Sequence, residues 1–364
     1  KALDGIYSTH LFHNVNIVID ELNRIVIQVN EKEYWRTCFG LRFDEYHLVE
    51  GFIQPAYENL FGKGILASLH LQYGSIRAKY AFELMINKLF SRNWANNLCF
   101  QSYISREKII HRIETDVPDT LSDSSIVFPI VYDEMDLRKS GINIRAGTQI
   151  GRVSMLAGGF RLERFKVSQT SKSTFKDPLG TQFRDGILYM VLNFIIDDLD
   201  RFPFPQKGQK HYISIGGASN FILGTENFIN LEVSLSYYFT LFKKHTFSQR
   251  FMFSFADQKL PPVERKYIGG ILPSEKYQDI GVFNYVPFIG LSPRSISGDI
   301  MALLHTSYRF SFSKKLFIGT LFDWGYAWHY NKTINETDFE FRKSTFNNFI
   351  KNAPLGFGLG LSYN

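Results

Sequence analysis

The sequence predicts an all-β protein, a transmembrane antiparallel β-barrel with about fourteen strands visible in the chain. Three observations lead to this prediction. Apolar and polar residues alternate along many segments, aromatic residues are abundant in a chain that is not hydrophobic on average, and short links between the segments take turns with long ones.

The alternation is clearest in Gly64–Gly74 and Asn230–Phe239. In both segments, apolar residues occupy every second position and mostly polar residues occupy the positions between them. Successive side chains of a strand point to opposite faces, so a period of two gives one apolar face and one polar face.

The composition excludes membrane-spanning helices. Such a helix needs about 18 or more apolar residues, whereas the longest apolar stretch, Ile187–Ile196, is far shorter and is interrupted by Asn193. The chain contains 35 Phe and 19 Tyr, yet its mean hydropathy is only −0.13. A barrel fits both values because it needs an apolar residue only at every second position. A soluble β-rich protein with a large aromatic core is the alternative.

The strands and their links follow an outer-membrane pattern. We predict strands at about residues 36–44, 48–59, 64–74, 78–89, 94–106, 140–150, 152–163, 185–197, 209–219, 228–240, 245–256, 297–311, 315–328 and 354–363. The long links are residues 107–139, 164–184, 257–296 and 329–353, and they take turns with links of a few residues. Outer-membrane barrels have short periplasmic turns and longer extracellular loops. An even strand number then predicts that both termini are periplasmic, in a bacterial outer membrane.

The first thirty residues differ from the rest. Val15–Asp20 and Arg24–Asn30 predict a tight pair of strands, and the charged residues 31–33 follow them. We therefore divide the chain into an N-terminal part, residues 1–33, and the barrel, residues 34–364.

Four segments carry a resemblance to a known family, and they occur in the order of that family. They are Leu3–Val15, Asp197–Gly208 with an Asp-rich Phe-Pro-x-x-Gly turn, Leu321–Trp328 with Phe-x-Asp-x-Gly, and the Gly-rich Leu355–Tyr363. The chain resembles the surface antigen superfamily of barrels, which includes BAM-type assembly proteins, two-partner secretion transporters and bacterial patatin-like phospholipases with a C-terminal barrel. The resemblance implies about sixteen strands. Either the barrel closes at fourteen, or two C-terminal strands are missing from the chain.

The same resemblance identifies residues 1–33 with the end of a POTRA domain. In such a domain, Phe12 and Val15 would pack the last helix onto the sheet. Arg24–Lys32 would be the final strand and would lead directly into the barrel.

The resemblance also implies a long loop that folds into the lumen. In assembly proteins an Arg at the loop tip reaches the Asp of the Phe-x-Asp-x-Gly strand, but here Ile289 stands where that Arg would be. Asp323 then needs another partner, because a buried carboxylate is costly without one, and Arg294 and Arg309 are the candidates. The expected tip residues are Phe288, Gly290 and Leu291, and the expected docking residues are Asp323, Gly325 and Arg294.

Three functions are compatible with these features. The Phe-x-Gly-Leu form of the tip is closer to the patatin-linked barrels, so the first expectation is a barrel that anchors or exports an N-terminal patatin-like lipid hydrolase not present in this chain. The alternative is an outer-membrane assembly or translocation barrel of BAM or TAM type. In that reading Gly356, Gly358 and Gly360 would weaken a lateral seam, although they equally fit packing positions. A diffusion porin is the second alternative.

The sequence contains no catalytic motif and no metal-binding pattern. The Gly-x-Ser-x-Gly motif of a patatin lipase does not occur, and Cys38 and Cys99 are isolated. We expect no cofactor, and enzymatic activity would require a hydrolase domain upstream. The expected partners are outer-membrane lipids including lipopolysaccharide, and a periplasmic client or fused hydrolase domain. Nucleic acid is not expected, because cations such as Lys243 and Lys244 cluster at predicted turns.

Overall fold

The structure is a computed structural model. It describes the chain except residues 1–11, 20–23, 45–47, 88–95, 114–130, 170–181, 202–203, 221–223, 262, 271–283, 292–294, 314–315, 330–352 and 364. Among the residues so described, no helix is long and apolar enough to cross a membrane.

Nineteen strands are present in the described residues. In chain order they are β1 (Phe12–Ile19), β2 (Ile25–Glu31), β3 (Trp35–Asp44), β4 (Leu48–Leu60), β5 (Ile65–Gly74), β6 (Arg77–Asn87), β7 (Asn96–Ile113), β8 (Val131–Ile150), β9 (Ser154–Gln169), β10 (Gln182–Asp197), β11 (Gly208–Ala218), β12 (Phe228–Leu241), β13 (His245–Ala256), β14 (Lys266–Ile268), β15 (Tyr285–Val286), β16 (Ile296–Gly298), β17 (Ile300–Ser311), β18 (Leu316–Trp328) and β19 (Leu355–Tyr363).

One large sheet contains fourteen of these strands. Its order is β3 to β13 followed by β17, β18 and β19, so the strands of this sheet pair in the order in which they occur in the chain, with β14–β16 left out. The pairing is antiparallel and regular. β12 and β13, for example, stay in register from the pair Asn230 and Ala256 to the pair Leu241 and His245. The all-β class and the large antiparallel sheet confirm the predicted fold class.

A small hairpin precedes the large sheet. β1 and β2 pair antiparallel, as the strand pattern predicts for this region. Val15 is buried and Phe12 is half-buried. The helix expected before them falls on residues outside the described part of the chain, so the POTRA packing role of Phe12 and Val15 stays a prediction.

A second small sheet lies within residues 257–299. β14 pairs parallel with β15 and antiparallel with β16. The sequence predicts most of this region only as a long link, since strands of two or three residues are too short for an alternating pattern to be recognised.

The chain divides into two compact units, which we describe separately. The first contains residues 1–108 and 138–146, and the second contains residues 109–137 and 147–364. β1–β6 therefore lie in the first unit and β9–β19 in the second.

In the first unit the exposed face of the sheet is apolar. Leu69 and Phe82 are direct cross-strand neighbours, and both side chains are exposed. Ser68 and His70, on either side of Leu69 along β5, are buried. This is the reverse of a water-soluble sheet, whose polar face is the exposed one.

The second unit has the same reversed arrangement. On β12, Ile229 and Phe239 are 61% and 50% exposed, whereas Asn230 and Glu232 are buried. Contiguous exposed apolar surface is costly in water but is what a lipid-facing strand requires. The strands of this unit therefore direct their apolar face outward and their polar face toward the interior.

Candidate functional site

The candidate site is built around residues 257–299, which link β13 to β17 and which we call the inserted loop. Its two ends are held together, because Leu260 N donates to Asp299 Oδ1 over 2.9 Å. Asp299 is fully buried, and Arg265 Nε lies 3.8 Å from the same carboxylate oxygen. The base of the loop is therefore closed by a buried charged group with neutralising contacts.

The predicted tip residues form a compact turn. Phe288 N donates to Gly270 O over 3.1 Å, and Gly270 N donates to Leu291 O over 2.8 Å. Gly270 and Gly290 have φ values of +77° and +83°, a region that only glycine adopts easily. Phe288 is buried, and Leu291 packs against the apolar cluster to which Phe288 belongs. The buried members of that cluster are Met252, Ile268, Val286, Phe288, Met301, Leu303 and Ala327.

Asp323 is where the tip meets the strand wall. Its carboxylate is buried, and it accepts a 2.8 Å hydrogen bond from Ile289 N through Oδ2. Its other oxygen contacts His305 Nδ1, which lies directly opposite on β17. A carboxylate can only accept, so Nδ1 carries the proton. Gly325, on the same face of β18, allows close strand packing, since a Cβ there would lie 2.7 Å from Leu303 Cα.

The partner of Asp323 is therefore a histidine and a main-chain amide, and the expectation for Arg309 is wrong. The guanidinium of Arg309 donates to Pro205 O, and its Cζ lies 5.4 Å from the ring centres of Phe204 and Phe317. Arg294 lies outside the described residues, so its role as a counter-ion stays a prediction.

Two glycines of β19 receive the side chain and main chain of Ile289. A Cβ on Gly358 would lie 2.9 Å from Ile289 Cγ2 and 3.0 Å from Cδ1, and a Cβ on Gly356 would overlap Ile289 O. Gly360 has no atom within 4 Å of its Cβ position. Gly356 and Gly358 therefore pack closely against Ile289, and the role of the three glycines in a lateral seam stays a prediction. We call Gly356 and Gly358 the glycine socket.

A pair of crossed ionic contacts anchors the other arm of the loop. Glu264 Oε1 of the loop lies 2.6 Å from Arg161 Nη2 on β9, and Lys266 of the loop pairs with Glu232 on β12. All four side chains are buried. Burying an ion costs several kcal/mol unless a partner is well placed. The arrangement thus aligns the loop with two particular strands.

This ionic anchor was not predicted from the sequence, although one signal was available. Glu232 stands at a polar position within the alternating segment 230–239, and Arg161 has the same placement on β9. Charged residues at interior-facing positions of a barrel strand need a partner from inside. The sequence shows the need but not which loop residue meets it.

The turn between β10 and β11 closes against the opposite end of the interior face. The rings of Phe204 and Phe317 have centres 4.8 Å apart, and Thr240 Oγ1 donates to Gln206 O over 2.6 Å. Together with the Arg309 contact to Pro205, these interactions hold the Phe-Pro-x-x-Gly turn against β12, β17 and β18.

Asp200 organises the same turn. Its Oδ1 accepts hydrogen bonds from the main-chain amides of Gln206 and Lys207, at 2.8 and 3.1 Å. Partial desolvation acts to raise the pKa of Asp200, but these two amides and the neighbouring Arg201 outweigh it and lower the pKa from its usual value.

The interior polar groups do not form a metal site within the described part of the chain, where no three His, Cys, Asp or Glu side chains lie close enough together to hold a metal ion. The arrangement holds a loop in place and carries no group arranged for catalysis within the described residues. A loop is docked on interior-facing groups through an ionic anchor, a buried carboxylate and a glycine socket.

Comparisons with known proteins bear on the family and the fold of the chain. A family model described as the Omp85 superfamily domain matches residues 59–364. The outer membrane protein assembly factor BamA of Nitratidesulfovibrio vulgaris (strain Hildenborough) is 24% identical over 349 residues, which cover 93% of this chain and 40% of the relative. The chain thus spans less than half the length of that curated relative.

Solved structures show the same fold at low sequence identity. BamA from Haemophilus ducreyi lacking POTRA domains 1–3 superposes with a TM-score of 0.69 at 11% identity, covering 98% of this chain and 70% of that one. CdiB from Acinetobacter baumannii gives a TM-score of 0.54 at 12% identity, covering 99% and 61%. CdiB from Escherichia coli gives 0.55 at 10%, covering 99% and 63%. The fold is the antiparallel β-barrel of these proteins, and the matches lend no support to a link with patatin-like phospholipases.

Proposed function

Because this chain belongs to the Omp85 superfamily, we propose that it is the barrel of an outer-membrane protein that assembles or translocates other proteins. The observation that carries the proposal is the match to an assembly factor along 93% of the chain. The family model, which matches residues 59–364, includes the inserted loop and the strands it contacts. This favours the alternative of the sequence analysis over its first expectation, the anchoring of a patatin-like hydrolase.

The location that we propose is a bacterial outer membrane, with both termini on the periplasmic side. The exposed apolar faces of both units support a lipid environment. Outer-membrane lipids, including lipopolysaccharide, would then contact the outward faces of the strands. A periplasmic client protein would be the partner that the barrel assembles or translocates.

Residues 1–33 are proposed to be the end of a POTRA domain and residues 34–364 the barrel. The β1–β2 hairpin supports this division. Ile17, Ile19, Ile25 and Ile27 share one face, since Ile17 pairs with Ile27 and Ile19 pairs with Ile25, and all four side chains are exposed. A two-stranded hairpin is marginally stable alone, so this face needs cover.

The inserted loop is proposed to act as a plug. Phe288, Gly290 and Leu291 form its tip, and Asp323 and Gly325 provide the docking strand. A diffusion porin would leave its interior open to solutes, whereas here Lys266, Phe288 and Asp323 fill interior positions and are all buried. The docked loop therefore argues against free diffusion as the function.

The test is client assembly in lipid vesicles. The purified protein is reconstituted, and an unfolded eight-stranded outer-membrane barrel is added as client. We expect faster appearance of the folded, protease-resistant client than in vesicles without the protein, and low ion conductance in planar bilayers. No acceleration, combined with a steady open-channel conductance, would contradict assembly and favour a porin.

A further inference from the structure

Several short turns of this barrel share a sequence pattern that assembly does not explain. Each places a phenylalanine immediately before or near a cation. Residues 60–63 read Leu-Phe-Gly-Lys, residues 241–244 read Leu-Phe-Lys-Lys, and residues 312–315 read Phe-Ser-Lys-Lys. The first two are hairpin turns, between β4 and β5 and between β12 and β13, and the third joins β17 to β18.

The phenylalanine rings in these turns point away from the protein. Phe242 is 88% exposed, Phe61 is 80% exposed and Phe312 is 65% exposed. A ring this exposed loses the benefit of burial in water. Three such rings in turns of a few residues, where polar residues are the usual choice, would gain burial from an external apolar partner.

The backbone of the β12–β13 turn makes the choice of residues more unusual. Phe242 and Lys243 have φ values of +49° and +61°, and Lys244 N donates to Leu241 O over 3.3 Å. A two-residue hairpin turn with both φ angles positive normally contains Asn-Gly, because bulky residues are strained there. Phe61 is in the same region, with a φ of +58°. Strain retained at an exposed site points to a function for the side chains.

The charge of these turns has one sign. Lys63 lies in the first, and Lys243 and Lys244 lie in the second. The tight turn between β8 and β9 contains no Phe but also carries a cation, Arg152. Residues 61–64, 151–153 and 242–244 include no Asp or Glu. The β10–β11 turn differs, since Asp200 pairs there with Arg201 and the turn folds inward against Arg309.

The aromatic turn continues the lipid-facing surface of the second unit. Tyr237, Phe239 and Leu241 alternate along the exposed face of β12 and lead directly to Phe242. Within that unit, antiparallel chain order places the β8–β9, β12–β13 and β17–β18 turns at one edge of the sheet. In the first unit, the β4–β5 turn likewise combines an exposed ring, Phe61, with a cation, Lys63.

We propose that these turns are anchors for anionic phospholipids. The phenylalanine rings insert at the boundary between headgroups and acyl chains, and the neighbouring Lys and Arg side chains bind lipid phosphates. The partner is a bilayer leaflet rich in anionic phospholipid. This inference goes beyond assembly or translocation and does not depend on it.

The experiment compares thermal unfolding of the full chain in detergent micelles with and without lipid. The probes are phosphatidylglycerol, phosphatidylcholine and inorganic phosphate. A ligand that binds only the folded state raises the unfolding midpoint. We expect phosphatidylglycerol to raise the midpoint and the other two probes to leave it nearly unchanged. An equal rise with phosphatidylcholine, or a rise with inorganic phosphate alone, would overturn the proposal.

The main variant is F242N/K243G, and F61N/K63Q tests the first unit. Asn-Gly suits the turn, so F242N/K243G should unfold at the same or a higher temperature without lipid, yet lose at least half of the rise caused by phosphatidylglycerol. An unchanged midpoint without lipid, together with a smaller rise with lipid, would show that these residues act in lipid binding and not in folding. A variant that keeps the full rise would overturn the proposal.

The matched control is F255N/K259Q, which removes one Phe and one Lys near the other end of β13. We expect it to keep the rise, whatever its midpoint without lipid. An equal loss in this control would mean that any exposed Phe and cation suffice, and it would also overturn the proposal. Client assembly is assayed separately in phosphatidylcholine vesicles. A negative result for lipid anchoring therefore leaves the assembly proposal standing, and the reverse also holds.

Discussion

At the scale of single residues, Ile289 and Asp323 define how the tip of the inserted loop is held. Asp323 receives a main-chain N–H from Ile289 and the imidazole of His305, and the glycine socket receives the side chain of Ile289. A guanidinium is therefore not required at position 289. The buried carboxylate is satisfied by a main-chain amide and an imidazole, and the close fit of Ile289 into the glycine socket completes the contact.

Asp323→Ala removes both acceptor atoms and leaves Ile289 N and His305 without them. Losing a buried acceptor costs roughly 1–3 kcal/mol. We expect a lower unfolding midpoint in detergent and faster protease cleavage within the inserted loop. Asp323→Asn is the matched control, since it keeps one acceptor oxygen for Ile289 N. Equal resistance of wild type and Asp323→Ala to protease and heat would refute this docking role.

Gly358→Ala tests the glycine socket. The added Cβ would lie 2.9 Å from Ile289 Cγ2, which is closer than van der Waals contact. Overpacking of this kind costs roughly 1–3 kcal/mol of stability. Gly360→Ala is the control, because its Cβ position is open. Combining Gly358→Ala with Ile289→Ala should recover much of the loss, and loop proteolysis measures it. Equal effects at positions 358 and 360 would rule out a specific socket.

At the scale of elements, the inserted loop is a small folded unit with its own sheet and its own ionic anchor. β14 carries Lys266 to Glu232, and the preceding turn carries Glu264 to Arg161. The loop presents one charge of each sign, and each meets an opposite charge on the strands, where Glu163 also lies 4.0 Å from Arg161 Nη1. Such crossed pairing disfavours a shifted docking position, because a shift would bring like charges together or leave buried ions unpaired.

Lys266→Glu places a second carboxylate against Glu232. Breaking a buried pair costs roughly 3–5 kcal/mol, so the loop should become protease-sensitive. The double variant Lys266→Glu with Glu232→Lys should regain part of the protection. The exposed pair Lys210 and Asp197, 3.6 Å apart, is the control, because reversing a surface pair changes stability by about 0–1 kcal/mol. Similar losses for both pairs would show that the interior pair is not an anchor.

The β10–β11 turn should respond to acid. The pKa of Asp200 is lowered on folding, so its contribution to stability is complete above the unfolded value and is lost as pH falls through the folded pKa. Hydrogen exchange of the Gln206 and Lys207 amides should therefore accelerate below about pH 4, beyond the intrinsic pH trend. Asp200→Asn should show weaker protection with no acid step. An acid step that persists in Asp200→Asn would assign the effect to another group.

At the scale of the whole molecule, the reversed distribution of polarity governs stability. Leu192 and Ile215 are cross-strand neighbours, and both side chains are more than half exposed. Water would penalise these faces, whereas a bilayer stabilises them without any contribution from the interior. The interior is then free to be polar, which gives the inserted loop charged partners.

Ile215→Arg tests the lipid-facing surface. A cation on the lipid face costs up to roughly 2–4 kcal/mol at the bilayer midplane and little near the interface. We expect urea unfolding in lipid vesicles to shift to lower urea concentration, while Ile215→Val stays near wild type. An unchanged midpoint for Ile215→Arg would mean that this face does not contact acyl chains.

Much of the fold was predictable from local pattern. Alternation in Gly64–Gly74 and Asn230–Phe239 defines strands and groups their side chains by face, because opposite orientation of successive residues is a property of the extended backbone. The short strands β14–β16 were not predictable in this way. They form where separate parts of the inserted loop pair with one another, β14 with both β15 and β16.

The candidate site shows the same limit. The sequence by itself determined that Asp323 stands at an interior position and needs a partner, and that Gly356 and Gly358 share one face of a strand. Only the tertiary structure decided that the partner is His305, set opposite by the β17–β18 register, and that Arg309 serves the distant turn. It alone matched Lys266 to Glu232 and Ile289 to the glycine socket. Alternation determines which face of a strand a side chain lies on, but the residue opposite it also depends on the length and geometry of the connecting turn. The path of a long loop is not encoded in the alternation at all.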